Sequence, residues 1–76
     1  MSIFHVWSED EKEENARSYN ATCPTEAAER DAFRYIQTMK DGGEIQMHVR
    51  TSAGFLYGIL VTMDMVPQLT GTINKY

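Results

Sequence analysis

The chain predicts a single α+β domain, an antiparallel sheet of four or five strands with one helix packed on one face, in the order β-β-α-β-β. Three observations lead there. One proline-led segment with helical periodicity lies between two strand-rich halves, residues 44–51 alternate strictly between apolar and polar, and 76 residues leave room for one core only. Residues 1–76 are therefore read as one domain.

The opening run Ile3-Phe4-His5-Val6-Trp7 is rich in β-branched and aromatic residues and stops at a polar stretch, the pattern of a strand. Phe4 and Val6 share one face; Ile3, His5 and Trp7 share the other. From Asn15 to Thr22, Arg17, Tyr19 and Ala21 alternate with Ala16, Ser18 and Asn20, which completes a hairpin. A helix starts in Thr22-Cys23-Pro24-Thr25-Glu26, where proline suits the first helical position and a carboxylate stands in the first turn. Cys23 is the cap if Pro24 opens the helix, whereas Thr22 offers the better capping side chain but moves Pro24 one step inward.

Ala28, Ala32, Tyr35, Ile36 and Met39 fall on one helical stripe, with Phe33 well off it among Glu29, Arg30 and Arg34. The helix is expected to stop at Lys40-Asp41-Gly42-Gly43. Beyond it, Ile45, Met47, Val49 and Thr51 oppose Gln46, His48 and Arg50 on a half-buried strand, and Ser52-Ala53-Gly54 turns the chain into Phe55–Met63. That run is apolar on both faces and reads as an interior strand, with Gly58 marking a bulge or a close backbone approach. Val66–Ile73 carries strand-like threonines, but Pro67 lacks a ladder donor, so a short edge strand or extended arm is expected.

Composition narrows the functional classes. Seven Lys/Arg against eleven Asp/Glu give a net charge of −4, which argues against direct binding of phosphate backbones. No stretch approaches the roughly 20 apolar residues of a membrane span, and the opening residues do not form a secretory signal; the expected location is the cytoplasm. Cys23 is the single cysteine, so no internal disulfide forms, and a small core without disulfide or metal turns attention to self-association.

The search for chemistry finds no catalytic centre, metal site or cofactor motif. Cys23 at a helix start has a physical reason for a lowered pKa, yet His5 and His48 are distant in sequence. These two histidines lie on the strand face away from the helix and lack a third metal ligand. The acidic run Glu9-Asp10-Glu11-Lys12-Glu13-Glu14 has no calcium-loop spacing, and Gly42-Gly43 closes a helix where a phosphate loop would open one. Arg30 and Arg34 are expected to be neutralised by Glu26 and Glu29.

Binding by contact remains. Glu9, Asp10, Glu11, Glu13 and Glu14 concentrate five of the eleven carboxylates at the predicted hairpin tip, where they suit a protein partner with a basic surface. Trp7, Tyr19 and Phe33 are the aromatic anchor candidates. Two readings stand for Trp7: an anchor on a sheet face the helix leaves uncovered, or a member of the single core with the register reversed. The first also admits a homodimer formed through that face.

The segment Tyr19-Asn20-Ala21-Thr22-Cys23-Pro24-Thr25-Glu26-Ala27-Ala28, a strand running straight into an Ala-rich helix, resembles an arrangement in small phage and mobile-element proteins. With the β-β-α-β-β order, the size and the acidity, the chain is similar to some small anti-CRISPR proteins. The resemblance implies a non-catalytic inhibitor or adaptor that binds a nucleic-acid-handling complex in a host cytoplasm. It maps no binding residue onto this sequence.

Overall fold

The computed structural model describes residues 2–35, 43–65 and 68–75, with the backbone alone at 64, 65, 68 and 75. Strands β1 (Ser2–Ser8), β2 (Arg17–Ala21), β3 (Glu44–Thr51), β4 (Leu56–Met65) and β5 (Gln68–Lys75) form one antiparallel sheet, and helix α1 spans Pro24–Ala32. The strand order is β2-β1-β3-β4-β5, so β2 and β5 are the edges. This is the α+β arrangement the sequence predicts, with the fifth strand present.

Alternation sets the register. Phe4 pairs with Tyr19 of β2, Val6 faces Val49 of β3, and Met47 faces Ile59 of β4, which puts the apolar sets of four strands on the same face. There Phe4, Val6, Met47, Val49, Ile59, Val61 and Met63 meet Ala21 and the helical alanines 27, 28 and 32. Fully burying each of the larger side chains contributes about 1.5–3 kcal/mol. The alanines have no bulk to hold the helix off, so α1 reaches all five strands.

Cys23 is the helix cap, in extended conformation, with Pro24 next in line; the Thr22 hydroxyl instead donates to the Glu26 carboxylate at 2.8 Å. The α-helical part ends at Ala32 and tightens into a 3₁₀ turn, Phe33–Tyr35, where the sequence predicts a helix continuing to residues 40–43. Ile36, Met39 and the Lys40-Asp41-Gly42 stop lie outside the described residues. Gly54 has φ 95°, the left-handed conformation that lets Ser52-Ala53-Gly54 join β3 to β4. The register between β4 and β5 shifts at Gly58/Ile59, the irregularity expected of Gly58, and again at Met63/Met65. β5 is eight residues long, longer than the short edge expected.

The face away from α1 carries Ile3, His5, Trp7, Gln46, His48, Arg50, Leu56 and Leu60. Polar contacts divide it: Gln46 and Asn74 exchange two amide hydrogen bonds (3.0 and 2.8 Å) across β4, and His5 Nδ1 meets Ser18 Oγ at 3.1 Å. Leu56 and Leu60 are half-buried and only Ile3, at 44% exposure, stands out among them.

Candidate protein-interaction site at the hairpin end

The connection between β1 and β2 is folded by its own backbone. Glu11 N–H donates to Ser8 C=O at 3.0 Å, and a 3₁₀ turn at Glu13–Asn15 brings Asn15 N–H to Lys12 C=O and Ala16 N–H to Glu13 C=O, both at 2.9 Å. Glu9 N–H donates to Gln46 C=O of β3 at 3.0 Å, so the tip is anchored to the next strand as well.

Two of its five carboxylates are committed to the fold. Glu11 receives both ends of the Arg17 guanidinium (2.6 and 2.9 Å) and the Ser8 backbone N–H (2.9 Å). Arg17 turns its other edge to Asp31 of α1, again through two bonds (2.6 and 2.9 Å), so one guanidinium bridges the hairpin tip and the helix. Asp31 is fully buried and also accepts from the Tyr19 hydroxyl at 2.6 Å and from Arg34 at 3.2 Å. The Tyr35 hydroxyl closes the circuit, donating to Ser8 Oγ and Glu11, each at 3.4 Å. On the opposite face Glu13 accepts two bonds from Arg50, which also donates to Gly54 C=O at 3.0 Å.

The electrostatics follow from these contacts. Hydrogen bonds from Arg17 and the Ser8 backbone hold the Glu11 carboxyl down to about 2. Burial pushes Asp31 up, but its bonds from Arg17 and Tyr19 outweigh that and leave it below the usual carboxylate range. Burial, helped by the adjoining Asp31 carboxylate, raises the Tyr19 hydroxyl to about 12. The Arg50 guanidinium lowers Glu13.

Among the predicted site residues, Glu9, Asp10 and Glu14 are exposed, and their carboxylates make no hydrogen bond or ion pair among the described residues. Glu11 and Glu13 are held as above. Tyr19 is half-buried and faces the helix. Trp7 lies on the face away from α1, yet it is only 7% exposed and stacks on His48 with ring centroids 5.6 Å apart. Phe33 is 55% exposed, but it stands on the β5 side of the helix, lining an open groove of about 420 Å³ with Glu26, Glu29, Arg30 and Leu69.

The Arg17–Asp31 pair is absent from the sequence reading, although a signal for it exists. Asp31 falls on the same stripe as Ala28, Ala32 and Tyr35, and a carboxylate on a core-facing stripe demands a buried cation. The pairing expected for Arg30 and Arg34 is also corrected: Arg30 donates to Asn20 C=O on β2 at 2.7 Å, and Arg34 serves Asp31 while its guanidinium lies 5.0 Å from the centre of the Tyr35 ring. Glu29 instead points toward β5.

Other reactive side chains stand apart. Cys23 is exposed, with its thiol lowered by the Thr25 hydroxyl 3.2 Å away and by the Glu26 backbone N–H. His5 and His48 lie on paired strands, but in register with Arg50 and Trp7 respectively, not with each other. Among the described residues no group of three or more His, Cys, Asp or Glu is placed to hold a metal ion, and no helix is long and apolar enough to cross a membrane. No family model, curated protein or solved structure matches the chain.

Proposed function

We propose that this domain works by binding a protein that carries a basic surface, and that the contact is made by Glu9, Asp10 and Glu14 at the hairpin end. The observation that carries this reading is the division of labour among the tip carboxylates. Glu11 and Glu13 are spent on internal cations, and the three beside them are left to solvent on a segment those same cations brace. A braced tip has less conformational entropy to lose on binding than a free loop. Unpaired carboxylates add steering, felt over a Debye length of about 8 Å at physiological salt.

The function class that fits is an inhibitor or adaptor acting by surface occupation. A basic channel built for nucleic acid is the partner surface whose chemistry suits it best, since carboxylates there take positions meant for phosphates. That choice rests on the net charge of −4 and on the resemblance of the β-β-α-β-β order, the size and the acidity to the small anti-CRISPR proteins. A homodimer through the uncovered sheet face has less in its favour, because the Gln46–Asn74 pair and the His5–Ser18 contact interrupt that face.

The test is a partner captured from cytoplasm, with its association rate then measured by surface plasmon resonance. Reversing Glu9, Asp10 and Glu14 to lysine is expected to slow association at least about tenfold at low salt and much less at high salt. An unchanged rate at both salt levels contradicts the proposal. The exchanged pair Glu13→Arg with Arg50→Glu retains the internal contact and is expected to bind as the parent does.

A further inference from the structure

The sequence of β5 reads the same way in both directions by side-chain type. Gln68-Leu69-Thr70-Gly71-Thr72-Ile73-Asn74 is amide, aliphatic, threonine, glycine, threonine, aliphatic, amide. An antiparallel pair of two such strands centred on Gly71 sets Leu69 opposite Ile73, Thr70 opposite Thr72 and Gln68 opposite Asn74, and does so twice by symmetry. That is the self-complementarity a two-fold interface requires.

The backbone of this edge is presented in the matching phase. Gly71 N–H donates to the Glu29 carboxylate at 2.8 Å, so it is directed away from its neighbour Val61 on β4. By the period of two, Leu69 and Ile73 present their backbone groups outward as well. A second strand would then form hydrogen-bonded pairs at Gly71–Gly71 and at Leu69–Ile73. Thr70 and Thr72 would fall at non-hydrogen-bonded positions, where side chains come closest and Thr–Thr pairs are favourable.

Side chains agree with that register. On the helix face, Ile73 is 47% exposed and Leu69 borders the open groove with Phe33, so each aliphatic would cover its counterpart. Residues 68–74 contain no charge and no proline, and the ladder from Leu69 to Ile73 is free of bulges. Such edge-blunting devices are therefore missing from residues 68–74, and Lys75 stands only at the last position of the strand. Over that central stretch Glu29 covers the edge from the helix, at Gly71. A Cβ at position 71 would stand 3.2 Å from Ile59 Cγ2 and 3.3 Å from Glu29 Cγ, so a side chain there would crowd the carboxylate that reaches the backbone.

We propose that β5 pairs with β5 of a second copy, antiparallel about Gly71, and that Glu29 gates this pairing. In the exchange, the bond from Gly71 N–H to the Glu29 carboxylate is replaced by one to Gly71 C=O of the second copy, and each carboxylate returns to water. The product is one continuous ten-strand sheet with both helices on the same face. It does not depend on the role of the hairpin end.

Sedimentation velocity over a concentration series tests the pairing. The parent chain is expected to form a dimer, and Glu29→Ala to form it at concentrations at least about tenfold lower, because the competing charged hydrogen bond is gone. Ile73→Lys is expected to restore the monomer by placing a charge against Leu69. A chain that stays monomeric at its solubility limit, in both parent and Glu29→Ala forms, overturns the proposal. Register is read by oxidation in a Cys23→Ser background. A mixture of Thr70→Cys and Thr72→Cys chains is expected to cross-link faster than either alone, and a dimer without that preference overturns it equally.

Discussion

Two backbone N–H groups among the described residues of this sheet, those of Ser8 and Gly71, are satisfied by carboxylates, and the two carboxylates are backed differently. Ser8 N–H is held by Glu11 at 2.9 Å, and Glu11 is itself clamped by Arg17, which is clamped in turn by a buried Asp31. Gly71 N–H is held by Glu29 at 2.8 Å, and among the described residues no cation stands behind Glu29. The bond lengths are nearly the same. What differs is the cost of letting go, since releasing Glu11 disturbs a chain of charges that ends inside the core, whereas Glu29 exchanges one hydrogen bond for water. One end of the sheet is thus fixed and suited to presenting charge, and the other is latched and suited to opening.

Removing the centre of the fixed end gives the largest effect. Arg17→Met leaves the buried Asp31 carboxylate only partly compensated, by Tyr19 and Arg34, at a cost of up to about 3–5 kcal/mol. That is a large share of the roughly 4–11 kcal/mol expected for a chain this size. Urea denaturation should show it, and adding Asp31→Leu should recover much of the loss by exchanging a buried ion pair for apolar packing. Glu29→Ala, measured at concentrations where the chain is monomeric, should cost about 0.5–1.5 kcal/mol. Equal losses would erase the contrast between the two ends.

Titration sharpens it. The folded value of Glu11, about 2, lies below its ordinary 4.5, so its contribution to stability is complete above about 4.5 and is lost as pH falls toward about 2. Asp31 is lowered too and adds in the same direction. Tyr19 works from the other side: raised from 10 to about 12, it contributes fully below 10 and loses that contribution as pH climbs to about 12. Thermal melts across both windows should show stability falling at each end, and the Arg17→Met, Asp31→Leu double variant should lose most of the acid slope.

Smaller effects probe the flanks. A double-mutant cycle on Gln46→Ala and Asn74→Ala should return a coupling of about 0.5–1 kcal/mol, a measure of how firmly that amide pair ties β5 to the rest of the sheet. Arg50→Ala should hardly move the melting temperature, since its pair with Glu13 is solvent-exposed. It would release a fourth carboxylate at the tip, so partner association should become faster, not slower.

The sheet was legible in the sequence because the alternation at Glu44–Thr51 admits one phase only, and the run after it, apolar on both faces, belongs in the sheet interior. The helix start was legible from Pro24, and the tip from its charge run. Three features were not, each for a physical reason. The 3₁₀ tightening at Phe33–Tyr35 follows no change in periodicity that single residues reveal. The partition of the five tip carboxylates depends on Arg17 and Arg50, which approach them only when β2 and β3 flank β1. The face of Trp7 stays open in the sequence, because both faces of β1 carry apolar residues, and its cover by His48 depends on the β1–β3 register, which hydropathy alone does not give.

The contrast between the two ends is tested most directly by amide hydrogen exchange at two positions, read by NMR at concentrations low enough to keep the chain monomeric. Ser8 N–H should exchange near the global unfolding rate, and Gly71 N–H should exchange much faster, through local release of Glu29. Gly71 protected as strongly as Ser8 in the monomer would contradict the account.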